Sequence, residues 1–211
     1  MGLFKSIKGM KDVMSSSNGV GDNAVIGRAL VIDASLSGMA ITSGVEEYRV
    51  CTLRLQVFVD GQSAYIAECR QKVQEWRLGQ LVGQAFAVRV DASDLQKVAL
   101  DFSMEPPVVT LARPADGGAQ ALIASGRPAE AVIVSNTPLG LRSWDGNDVH
   151  MFVLTVMAPG QAPYQAQLGN PMPASALPYV FPGSRVPVKL GANPNDVAID
   201  WAAAAAALTS R

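Results

Sequence analysis

Large apolar residues fall on every second position in several short runs of this chain. Leu53, Leu55 and Val57 alternate with Arg54 and Gln56, and Phe86, Val88 and Val90 alternate with Ala87 and Arg89. A period of two predicts strands with one buried and one wet face. On that pattern Arg89, like Lys189 in a later run, should point to solvent. Asp60-Gly61 lies between two such runs within Tyr48–Ala67, so this stretch reads as a long β-hairpin. The same pattern returns in Val149–Ala166 around Pro159-Gly160.

The return is part of a longer duplication. Ala29–Asp33 answers Ala131–Ser135, and Leu53, Leu55 and Val57 answer Phe152, Leu154 and Val156. Gly61 answers Gly160, Gly83 answers Gly183, and Phe102 answers Trp201, at a numbering offset of 99 or 100. Each copy offers about five short strands separated by turn signals. A sheet that small must close on itself or pack on another to cover its apolar face. The expected fold is all-β: two tandem small antiparallel Greek-key barrels, OB-like or SH3-like. The first spans residues 24–102 and the second 126–201, with a linker at 103–125 and an Ala-rich tail at 202–211. Within the linker, Asp116 and Gly126 bracket a short helix over Ala119–Ser125, and Asn23–Gly27 reads as a shorter helical lead-in to the first copy. Asn170–Phe181, with Pro171, Pro173 and Pro178, reads as an exposed rigid loop. Pro187 stands where the first copy has Ala87, which predicts an edge strand or an N–H position turned away from the ladder.

The first 14 residues follow a different period. Leu3, Phe4, Ile7, Met10, Val13 and Met14 recur at helical spacing, while Lys5, Lys8 and Lys11 take the polar side. This predicts a short amphipathic helix, tethered by the flexible stretch 15–23. Such a helix can lie on an anionic membrane surface, dock in a partner's groove, or pack on its own barrel. Leu3, Phe4, Lys5, Ile7, Lys8, Met10, Lys11 and Met14 are the candidate membrane or partner contacts.

Composition narrows the function. The chain is 49% hydrophobic and 17% charged, which suits a folded core. A formal net charge of -1 and 6% aromatic content argue against a basic, base-stacking surface, so no nucleic-acid partner is expected. No apolar run reaches membrane-span length and no secretory pattern opens the chain, so a cytoplasmic location is expected. Cys51 and Cys69 share the core-facing parity of the first hairpin as cross-strand neighbours; they read as buried thiols or a redox-linked pair. The tyrosines Tyr65 and Tyr164 have core parity too. His150 has no Cys or His at metal spacing, and Asp91, Asp94, Asp101, Asp196 and Asp200 read as turn residues. No phosphate-loop, dinucleotide or nucleophile-elbow motif occurs, so no catalytic residue, cofactor or metal is assigned.

The repeated Leu-x-Leu-x-Val, Gly-Gln-x-x-Tyr, Pro-Gly-x-x-Val-x-Val and Val-Ala-Ile-Asp pattern resembles bacterial, chiefly actinobacterial, proteins of unknown function built from tandem small β-barrel repeats. The resemblance covers nearly everything after residue 24 and rests on turn and core residues, so it implies a fold and transfers no activity. The expected function is a non-enzymatic binding or scaffold protein, peripheral at the cytoplasmic membrane face, with a protein partner. The alternative is a soluble component of a larger assembly docking through its first helix. An oligonucleotide-binding barrel or a small-molecule enzyme ranks below both.

Overall fold

The computed structural model describes residues 19–21, 23–43, 46–114 and 118–209. The chain divides into two units, Met1–Val109 and Thr110–Arg211. Both are built almost wholly from antiparallel strands, and the candidate helix at residues 1–14 lies outside the described residues.

The first unit holds β1 (Val25–Ser43), β2 (Glu46–Phe58), β3 (Tyr65–Gln74), a 3-10 turn at Glu75–Gln80, β4 (Ala85–Asp91) and β5 (Asp94–Asp101). Their order in the sheet is β3-β2-β1-β4-β5. Strand β1 therefore pairs with both β2 and β4, and it has to bend to serve both. A bulge makes the bend: Val31 faces Leu55 and Asp33 faces Arg54, leaving Ile32 unpaired. Just before the bulge, the Val31 N–H donates to Gln84 O and the Gly83 N–H donates to Val31 O, at 3.0 and 2.9 Å. Gly83 has φ +82°, a conformation that side chains other than glycine's resist. The curled sheet then brings β5 back beside β3. Gln71 on β3 closes that seam: its Nε2 donates to Leu100 O at 2.7 Å and its Oε1 accepts from Leu100 N–H at 2.8 Å. The result is a nearly closed Greek-key barrel of the OB-like kind, filled by Val31, Leu53, Leu55, Val57, Val88 and Leu100.

The second unit repeats this plan. After the two-residue β6 (Val109–Thr110) at the boundary, its elements are α1 (Gly118–Ser125), β7 (Arg127–Arg142), β8 (Asp148–Met157), β9 (Tyr164–Met172), a 3-10 turn at Ala174–Tyr179, β10 (Arg185–Leu190), β11 (Val197–Ile199) and α2 (Trp201–Thr209). The order is β11-β10-β7-β8-β9, with β6 pairing β7 in addition. Ile133 takes the place of Val31, bonded to Ser184 O and Gly183 N–H, and Val134 is the unpaired bulge residue. Phe152, Leu154, Ile133, Val188 and Ile199 fill the core.

Several expectations change. Asn23–Gly27 is no helical lead-in, since β1 begins at Val25. Gly27 is needed there because a Cβ would lie 2.5 Å from Phe58 O. Pro187 sits in an interior strand, between β7 and β11. It accepts from the Asp200 N–H at 3.0 Å but has no N–H to return. The β10–β11 ladder accordingly has three pairs, where the β4–β5 ladder has five. The proline stretch is less open than expected: Asn170 and Met172 are buried at the end of β9, and Ala174–Tyr179 forms the 3-10 turn. Arg89 and Lys189 are half-buried rather than solvated. The tail becomes a helix because Asp200 Oδ1 accepts from the Ala203 N–H at 3.0 Å, and because Ala204 is buried where α2 packs on β10.

Candidate functional site

A cleft lies in the second unit. It begins with the turn joining β7 to β8. Ser143 N–H donates to Asn147 O at 2.8 Å, Gly146 N–H donates to Ser143 O at 2.9 Å, and Gly146 has φ +89°. This turn needs glycine at its fourth position and pushes Trp144, its second residue, outward. Trp144 is 45% exposed, whereas Ser143 is only 5% exposed. The buried Ser143 hydroxyl donates to Asp145 Oδ1 and lies 2.9 Å from Asn147 O. That hydroxyl contact, with backbone contacts from the turn, holds the Asp145 carboxyl below the usual carboxylate range, so it is ionised at neutral pH.

Residues 111–114 form the opposite wall. The Leu111 N–H donates to Arg142 O at 2.8 Å, which fixes this extended segment along β7. Two residues on, the Arg113 guanidinium stands 4.7 Å from the Trp144 ring centroid. The cation lies over the electron-rich ring face, an attraction worth about 0.5–1 kcal/mol at an exposed site. Val149, Gly169 and Pro171 form the floor, and Ala119 and Gln120 at the start of α1 form one end. The cleft has a volume of about 680 Å³, within the range of small-ligand sites.

The arrangement presents a flat aromatic ring, one guanidinium and an apolar floor. Two side chains of the kind that does acid–base or nucleophilic work, Ser143 and His150, are engaged within the fold. Ser143 is turned into its own turn, and His150 is buried with its Nδ1 2.6 Å from Asn136 Oδ1. Burial lowers the His150 pKa from its ordinary value, with a smaller opposing effect from Asp148. Trp144 and Arg113 went unnoticed in the sequence. A tryptophan inside the polar turn Ser143–Asn147 was the signal available, since nothing apolar surrounds it there.

The eight contact residues proposed from sequence, Leu3 to Met14, lie outside the described residues. Cys51 and Cys69 are both free and buried in one core. They are diagonal neighbours, because Cys69 faces Leu53 and Cys51 faces Gln71. Burial pushes the Cys69 thiol up to about 12, which keeps it protonated and unreactive. Tyr65 and Tyr164 both pack against the cores. The aspartates serve local turns: Asp91 accepts from Ser93, Asp94 from Gln96, Asp101 from Ser103 and Asp196 from Asn193. Among the described residues no helix is long and apolar enough to cross a membrane.

No protein-family model and no curated protein matches the chain. It is similar to one solved structure described as "Structure and Conformational Change of a Replication Protein A Heterotrimer Bound to ssDNA", at 10% identity and a TM-score of 0.21, over 81% of this chain and 45% of that chain. The chain thus spans less than half the length of that neighbour. A likeness this slight carries no argument for a ligand, but it runs against the expectation that nucleic acid is no partner, and that expectation is withdrawn. Arg54 and Arg70 are exposed on β2 and β3, where Asp33 and Glu68 face Arg54 across the two ladders, and Lys72 stands 3.9 Å over the Tyr48 ring.

Proposed function

We propose that this is a non-enzymatic binding protein and that the Trp144–Arg113 cleft of the second unit is a binding site. The observation that carries the reading is the stacked pair itself: a half-exposed tryptophan held out by a glycine-requiring turn, with a guanidinium over its face, above an apolar floor. A guanidinium whose face rests on a ring directs its N–H donors in its own plane, where they can fork onto a carboxylate. The ligand class that fits is a small molecule or side chain with an apolar body and one anionic group. Asp145, ionised and lining the same cleft beside Trp144, disfavours a second negative charge. The test is NMR titration of the full chain with 2-naphthoate, and with naphthylmethylamine as the cationic control. The carboxylate should shift the Trp144 indole N–H and the Val149 methyls, and Arg113→Ala should remove the effect. Equal shifts from the amine, or none from the carboxylate at millimolar concentration, would count against this site.

A second, separate reading concerns attachment. The helical spacing of Leu3, Phe4, Ile7, Met10 and Met14, with Lys5, Lys8 and Lys11 opposite, supports docking on an anionic membrane surface. The full chain should sediment with phosphatidylserine vesicles, and replacing Phe4 and Ile7 with Glu should release it. Binding that survives that double replacement would point the segment to a protein partner instead.

A further inference from the structure

Among the described residues of the first unit, no large apolar side chain is more exposed than Trp76, at 64%. It stands on the 3-10 turn Glu75–Gln80, between β3 and β4. An indole left in water contributes little to the core. The fold of the turn does not call for it either. The matching turn of the second unit, Ala174–Tyr179, holds neither tryptophan nor arginine, and the strands around it keep the same order.

The next residue, Arg77, is held from several sides. Its Nε–H donates to Gln74 Oε1 at 3.0 Å, and its Cζ lies 4.6 Å from the Trp76 ring centroid and 5.3 Å from that of Phe102. Phe102 is met edge-on by Phe86, with 5.3 Å between centroids. Two rings and an amide thus place the guanidinium before any ligand arrives. Its remaining donors are the two Nη groups. Glu75, the nearest acid in the chain, is paired with Arg49 at 3.1 Å.

Trp76 and Arg77 line a cleft of about 650 Å³ together with Gln80, Val82, Gln84 and Phe86. That volume is in the range of small-ligand sites. Among the described residues no carboxylate lines it, so its one charge is the Arg77 cation. Gln80 and Gln84 are exposed, and each brings an amide that both donates and accepts. We infer that this cleft of the first unit binds a nucleotide, with the base stacked on Trp76, the phosphate forked by Arg77 and the base edge met by Gln80 or Gln84. A guanidinium matches phosphate geometry, and every base has a face that stacks on an indole. An aromatic carboxylate would leave both amides idle, whereas a base edge offers them acceptors and donors. The Trp144 cleft is different in charge: Asp145 lines it and disfavours a dianion. A free nucleotide and one unit of a single strand present the same ring and phosphate.

In NMR titrations of the full chain, adenosine monophosphate should shift the Trp76 indole N–H and the amides of residues 79–84. Adenosine alone and inorganic phosphate alone should each bind at least about tenfold more weakly. Arg77→Gln should weaken binding of the nucleotide by a similar factor with an unchanged far-UV spectrum, and Trp76→Leu should weaken nucleotide and nucleoside alike. Arg113→Ala, in the cleft of the second unit, should leave these shifts as they are. A short oligodeoxyadenylate that binds more tightly than the mononucleotide assigns the site to a single strand, and one that binds no tighter assigns it to the free nucleotide. No shift of the 79–84 amides at millimolar nucleotide, adenosine binding as tightly as its monophosphate, or an Arg77→Gln variant that binds unchanged would each overturn the inference.

Discussion

The two barrels share a plan and close it with different chemistry. In the first, Gln71 spans the gap between β3 and β5 and bonds both the N–H and the carbonyl of Leu100. Its amide acts as a piece of borrowed backbone, offering a donor and an acceptor at strand spacing. In the second, the matching residue is Asn170, one methylene shorter. Its Nδ2 turns to Pro171 O at 2.9 Å, and the ring nitrogen of Trp201 donates to that same carbonyl at 2.8 Å. There the seam is held by an indole that also opens α2 and packs 5.7 Å from Phe152. One methylene thus separates a barrel whose seam is bridged by a side-chain amide from one that recruits Trp201, two residues past its last strand.

Trp201→Ala should break the second seam with the largest effect. It removes a core-packed ring as well as a hydrogen bond, and about 3 kcal/mol of protection should vanish from β8 amides by hydrogen exchange, with β2 amides unaffected. Trp201→Phe, which keeps most of the ring, should cost about 1 kcal/mol.

Gln71→Ala should act on the other barrel. It strands the N–H and the carbonyl of buried Leu100, at about 2 kcal/mol, read as lost protection of β2 and β5 amides. The comparison sharpens with Gln71→Asn. If reach is what matters, the shorter amide should be nearly as damaging as alanine. A harmless Gln71→Asn would show that the seam does not depend on this bridge.

The smallest difference is in pH response. His150 is buried in the second unit, and its folded pKa lies below the ordinary 6.5 because burial disfavours the charged form. As pH falls through about 6.5, the unfolded chain therefore takes up the proton before the folded one does. The stability linked to neutral His150 is complete above that pH and declines below it, down to the folded pKa. Protection of β8 should weaken between neutral and mildly acidic pH, and His150→Phe should flatten that slope.

Much of this fold was open to inspection in the sequence. Leu53, Leu55 and Val57 alternate because a strand does, and they are buried as that alternation requires. Gly61, Gly83, Gly160 and Gly183 repeat because each occupies a turn with positive φ. These signals are local, so a few neighbouring residues carry them. Pro187 misled because proline's effect depends on which neighbour its missing N–H would have met. Asp200 reads as a turn residue in the sequence and is a helix cap in the fold, because the tail's helix forms where it packs on β10.

The binding cleft was hidden for a related reason. Arg113 and Trp144 are far apart in the chain and meet only because Leu111 pairs with Arg142. The sequence by itself determined strands, turns, duplication and core, since each rests on contacts within a hairpin. Tertiary structure alone decided how each barrel seals and where the cleft falls. Those depend on single polar side chains, Gln71 and Trp201 among them, whose partners are set by the curl of the whole sheet.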